Sequence, residues 1–216
     1  MSSAIDRTKV RTMILRMVSG AVVGAAVTGL FLTFVTDLPD FSETSRLAAV
    51  IAGLTYGLMG LAVGVGTLAP RLGATFLNVE DANEISEDRR ALGPGAIVCL
   101  LAGLLFLALA LAPAGDFEGA MPRDIAAGTV AVSFVALVGV SLWMRRYIDE
   151  LNRALGIEAS ASAMNLSFLL FGGWAALAHL GYAQWITPLG LLSGLALVQL
   201  AAIFWVIGKR GMLMPR

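Results

Sequence analysis

The chain has one cysteine and one histidine among its 216 residues, and each scarcity closes off a class of chemistry. A single thiol, Cys99, can form neither an intrachain disulfide nor a multi-cysteine metal site. A single imidazole, His179, excludes bis-histidine haem ligation and multi-histidine zinc sites within one chain. Charge is also sparse: Asp, Glu, Lys and Arg make up 14% of the residues, against about a quarter in soluble domains. Fifteen basic and fifteen acidic side chains cancel to a formal net charge of +0, which argues against a nucleic-acid binder, because neutralising phosphates takes a basic patch. The sequence contains no serine nucleophile elbow, HExxH, Walker lysine loop or strand-borne GxGxxG. The expectation is a protein without enzymatic activity or a cofactor.

What the chain has in excess is apolar surface. Hydrophobic side chains make up 58% of it and the mean hydropathy is +0.83, more than a soluble core of this size could hide. The pattern predicts an all-α membrane protein, a single polytopic domain built as a six-transmembrane-helix bundle with spans over about 13–35, 47–68, 96–112, 125–144, 163–183 and 186–207. The first run follows a basic segment, as a signal peptide would, but its length and the lack of a small-residue cleavage site predict a retained span. Arg16 in its first turn can snorkel to the head groups. Span two carries two GxxxG pairs, Gly53 with Gly57 and Gly60 with Gly64, and span one adds Gly20 and Gly24. Small residues let helix backbones approach where lipid supplies no hydrophobic drive, so a close contact between spans one and two is expected. The same faces would suit a homo-oligomer.

The long hydrophilic island between Arg71 and Gly93 is organised like a surface helix of about fourteen residues. Asn78 stands where an N-cap belongs, Glu80 and Asp81 fill the first turn, and Arg89 and Arg90 fill the last before Gly93 and Pro94. A second charged helix is expected beyond span four, running without a breaker through RRYIDELNRALG to Gly156, with Arg146–Glu150 and Asp149–Arg153 as i,i+4 pairs. Both are read as short amphipathic helices on the cytoplasmic side. With the N-terminus inside, thirteen of the fifteen basic residues fall on inner segments, leaving Arg46 and Arg123 outside. That bias orients the protein with both termini cytoplasmic.

The two charged segments share Arg-Ala-Leu-Gly, which fits a duplicated hairpin as well as it fits chance in a chain rich in these residues. The stretch DELNRALGIEA, Asp149 to Ala159, resembles a D-E-x-x-R-x-x-x-x-E-A pattern of small bacterial multi-pass proteins of unknown function. The resemblance covers about eleven residues and implies a bacterial inner-membrane protein with a charged cytoplasmic helix. It carries no activity.

Two functional expectations follow. In the first, the charged cytoplasmic residues Glu80, Asp81, Glu84, Glu87, Asp88, Arg89, Arg90, Arg145, Arg146 and Arg153 contact a protein partner, such as a larger membrane complex or a soluble regulator. Metal binding by the acids is disfavoured, because one straight helix presents its carboxylates diverging and a hard cation wants them converging. Pairing of the acids with Arg145, Arg146 or Arg153 is the plainer expectation. In the second, Tyr56, Asn165, His179 and Gln199 line a polar path of a small transporter or channel, since polar groups at membrane depth are costly unless they serve packing or passage.

Overall fold

The structure is a computed structural model, and it describes residues 18, 20, 22, 24–31, 33, 44–77, 79, 81–114 and 117–212. Among these the regular structure is helical: α1 Thr44–Leu68, α2 Pro70–Phe76, α3 Ala82–Glu87, α4 Arg89–Leu111, α5 Arg123–Met144, α6 Glu150–Ser167, α7 Gly173–His179 and α8 Pro188–Lys209. A π-helical turn, Phe168–Gly172, joins α6 to α7 without a break. Among the described residues five helices are long and apolar enough to cross a membrane: α1, α4, α5, the continuous Glu150–His179 and α8. The span expected over 13–35 lies largely outside the described residues, of which 24–31 are helical.

The helices pack as neighbours in the order α5, α4, α1, α8, α6. Chain connectivity bends this row. Only residues 145–149 separate α5 from α6, and six Cα steps reach about 20 Å. Four helix-to-helix spacings of 8–10 Å would put the two ends roughly 35 Å apart in a flat array. The row must therefore curl, bringing the 144–150 ends of α5 and α6 together although no packed interface joins them among the described residues. As the ends of the row, α5 and α6 bury few side chains: Ala126 and Ser133 in α5, and Leu155, Ala159 and Ala163 in α6.

The tightest seam is α1 against α4. A Cβ added at Gly103 would stand 2.8 Å from Gly57 Cα, and one at Gly60 would stand 2.8 Å from the Leu100 amide nitrogen. Backbone thus lies on backbone, which only glycine permits there. A Cβ at Gly20 or Gly24 meets nothing within 4 Å, and the rest of span one lies largely outside the described residues. Among the described residues the closest glycine approach is between spans two and three. The GxxxG pattern marks small faces but cannot say which helix meets them.

Two element boundaries also differ from the sequence reading. The island does not form one fourteen-residue helix. Pro70–Phe76 makes a short helix tucked under α1, where Gly73 touches Gly66 closely enough that a Cβ would fall 2.7 Å from the Gly66 carbonyl oxygen. The capping role goes to Asp81, which accepts from the Asn83 and Glu84 amides at 2.9 and 3.0 Å; Asn78 and Glu80 lie outside the described residues. Helix α3 ends at Asp88, whose φ of −84° and ψ of 2° break the winding. Arg89 and Arg90 then open α4 instead of closing the island helix. Gly93 and Pro94 are absorbed in its second turn, and the missing Pro94 donor frees only the carbonyl of exposed Arg90. Placing two cations at a helix N-terminus costs about 0.3–1 kcal/mol each, less than interrupting a membrane-length apolar helix.

The charged helix after span four belongs to span five. Helix α5 stops at Met144, Arg145–Tyr147 turn, and Asp149 caps a new helix by accepting from the Asn152 amide at 2.7 Å. Gly156 lies inside α6. A residue whose side chain caps in this way starts a helix, so the Asp149–Arg153 and Arg146–Glu150 pairs do not form; among the described residues neither is present.

Candidate functional site

The end of the bundle that carries residues 69–90 and 145–153 gathers most of the described charge. Asp81 holds α3 by its N-cap, and the donated Glu84 amide, foremost, keeps its carboxyl below the usual carboxylate range. Asn83 adds its backbone and side-chain amides, the latter at 3.1 Å. Ile85 is fully buried beneath the helix and anchors it, so the polar face turns outward. Glu87, Asp88, Arg89 and Arg90 are exposed. Helix α3 packs on α1, α2 and α4 and shares no comparable interface with α5 or α6. Among the described residues no ion pair accordingly joins the acids of α3 to Arg145, Arg146 or Arg153. Among those residues no group of three or more His, Cys, Asp or Glu side chains converges as a metal site would.

The arginines stand at a different corner. Arg145, Arg146 and Arg153 are exposed at the junction of α5 and α6, beside the ring pair Trp143–Tyr147, whose centroids are 4.9 Å apart. Arg145 and Arg153 border a groove of 810 Å³ along one face of α6. The ion pair present near this end is Arg210–Glu158, which ties α8 to α6 beside Leu155, Ala159 and Val206. The sequence reading did not single it out.

The four side chains of the polar path do not converge. Tyr56 is half-buried and donates its hydroxyl to the Ala196 carbonyl at 3.0 Å, which brings it within one turn of half-buried Gln199 on α8. Asn165 and His179 are exposed on α6 and α7. His179 occupies the last turn of its helix, where a basic side chain suits the helix dipole.

At the opposite end stands Arg46, which charge bias alone places only as one of two basic residues outside. It is 3% exposed. Its Nη1 donates to the carbonyls of Ala110 at 3.2 Å and Ala112 at 3.1 Å, and its Nη2 donates to that of Ala114 at 3.0 Å. The guanidinium also covers the Phe117 ring, 3.9 Å from its centroid. These carbonyls belong to the end of α4 and the turn after it, which have no intrahelical donors of their own. The turn is shaped to present them: Ala114 and Phe117 exchange backbone bonds of 3.2 Å, the Ala120 amide donates to Leu111, and Gly119 takes a φ of 76° against Pro113. One signal was available. Arg46, Ala49, Val50 and Gly53 recur at helical spacing, and all four are buried on the α4 side of α1. No protein-family model, curated protein or solved structure matches the chain.

Proposed function

We propose that this is a non-enzymatic bacterial inner-membrane protein whose cytoplasmic end, built on α3 and the start of α4, docks a protein partner. Five membrane-length helices support the membrane setting. The observation that carries the docking reading is the state of the acids: Glu87 and Asp88 are exposed, close in sequence, and form no ion pair among the described residues. Charge held at a fixed place by a capped, anchored helix steers and selects a partner more than it stabilises the chain that bears it. The partner would present a basic surface.

The test is site-specific photo-crosslinking in the native membrane. A photoreactive residue at Ser86, which is exposed on α3, is expected to give a discrete protein adduct that the E87K/D88K variant loses. The same probe at Tyr182, exposed in the 180–187 link at the opposite end, gives none. No adduct at Ser86, or one indifferent to charge reversal, would overturn the reading.

A further inference from the structure

The groove at the α5–α6 junction has features that a protein-docking surface does not need. Its wall is formed by Arg145 and Ile148 from the link and by Asn152, Arg153, Gly156, Ile157, Ser160 and Ala161 from α6. Helix α6 uses a different face, Leu155, Ala159 and Ala163, to pack on α8; at 100° per residue the two faces lie about a third of a turn apart. The groove therefore lies outside the α6–α8 interface.

Its polarity is graded along the helix. At one end stand two guanidinium groups, with Asn152 between them in the chain. Ser160 lies seven residues beyond Arg153, about 10 Å along the axis, and marks the change to apolar wall. From there Ile157, Ala161, Met164 and Phe168 continue one stripe up the same helix, and Ile157, Met164 and Phe168 are 63%, 67% and 77% exposed. The gradient coincides with membrane depth. Counting about 20 residues of hydrocarbon crossing back from Leu180 places Ser160 at the hydrocarbon edge and Arg153 in the head-group layer, where the Trp143–Tyr147 ring pair also belongs.

The charge around it is unspent. Arg145 and Arg153 form no ion pair among the described residues. Of the neighbouring acids Asp149 caps α6 and Glu158 pairs with Arg210, while Glu150, exposed in the first turn, forms no ion pair with either arginine among the described residues. Basic pockets between membrane helices at this depth suit phosphodiester head groups. An occupant must then combine an anion in the head-group layer with a hydrocarbon chain running toward the membrane centre.

We propose that the α5–α6 groove is a binding site for an anionic phospholipid, its phosphate held between Arg145 and Arg153 with Asn152 and Ser160 as neutral donors, and one acyl chain lying along Ile157, Ala161, Met164 and Phe168. This goes beyond the docking reading and shares only the membrane setting with it.

Native mass spectrometry of the full chain, with phosphatidylglycerol or phosphatidylcholine added to detergent micelles, tests the site. One phosphatidylglycerol is expected to bind tightly per chain, with phosphatidylcholine bound at least tenfold more weakly. Each arginine removed should weaken phosphatidylglycerol about fivefold, and R145Q/R153Q about thirtyfold. The R89Q/R90Q variant, which removes the same charge from another corner, should bind as the unaltered chain does. An A161W variant, which fills the apolar part and keeps both arginines, should also lose the lipid, so the proposal does not hang on the folding of one mutant. Equal binding of the two lipids, equal loss in R89Q/R90Q, or displacement of the lipid by inorganic phosphate at millimolar concentration would overturn it. Loss of lipid binding leaves the Ser86 adduct intact if only this inference fails.

Discussion

Arg46 shows what one side chain can do where water is scarce. The carbonyls of Ala110, Ala112 and Ala114 sit at a helix end that has run out of backbone donors, and a five-donor planar fork reaches all three from the first turn of the neighbouring helix. Removing it strands the carbonyls and uncovers Phe117. Arg46→Ala should destabilise the protein by about 2–3 kcal/mol, read as a lower midpoint in detergent unfolding. Arg46→Lys should recover only a minority of that, because a point charge cannot bridge the set. A midpoint unchanged in Arg46→Ala would refute the clamp. Ser133 and Ser193 are buried as completely, but Ser193 returns its hydroxyl to the Leu189 carbonyl of its own helix at 2.6 Å, so it joins no two elements.

Among the elements, α1 and α4 are joined by an asymmetric seam that isolated glycines could not reveal. Gly103 abuts the Gly57 and Gly53 backbone, while a Cβ at Gly57 itself points into open space. Gly103→Ala must push two backbones apart, a loss of about 1–3 kcal/mol. Gly57→Ala meets no obstacle and gains helix propensity, up to about 1 kcal/mol in the stabilising direction. Thermal unfolding of the two variants side by side checks this, and equal losses would show that the seam is not where the helices touch. The same scale explains the revised boundaries. Caps at Asp81 and Asp149 restart helices where composition alone suggested continuity, and an apolar helix long enough to span absorbs Gly93 and Pro94 where composition suggested a stop.

At the scale of the whole molecule, a crossing by each of the five long apolar helices among the described residues would put the 69–88 and 145–149 links on one side and the 112–122 and 180–187 links on the other. In a Cys99→Ser background, Glu87→Cys and Arg153→Cys should react with a membrane-impermeant thiol reagent only from the cytoplasmic side. Glu118→Cys and Tyr182→Cys should react only from the opposite side. Labelling of Glu87→Cys and Glu118→Cys from the same side would contradict the crossing pattern of α4.

The helical class and the presence of five long apolar helices among the described residues were legible in the sequence, because a membrane-length helix satisfies its own backbone and announces itself in a window of about twenty residues; their starts were not, since α4 begins at Arg89 and α6 at Glu150. The concentration of charge at one end was legible for the same reason: arginines avoid hydrocarbon whatever their neighbours are. Packing was not legible. Lipid tails are as apolar as leucine, so no hydrophobic stripe distinguishes a face that meets protein from one that meets lipid. Only the tertiary structure could pair Gly103 with Gly57, bury Arg46 over Phe117, part the acids of α3 from Arg145 and Arg153, and set Arg145 and Ile148 of the link beside one face of α6 to form the groove.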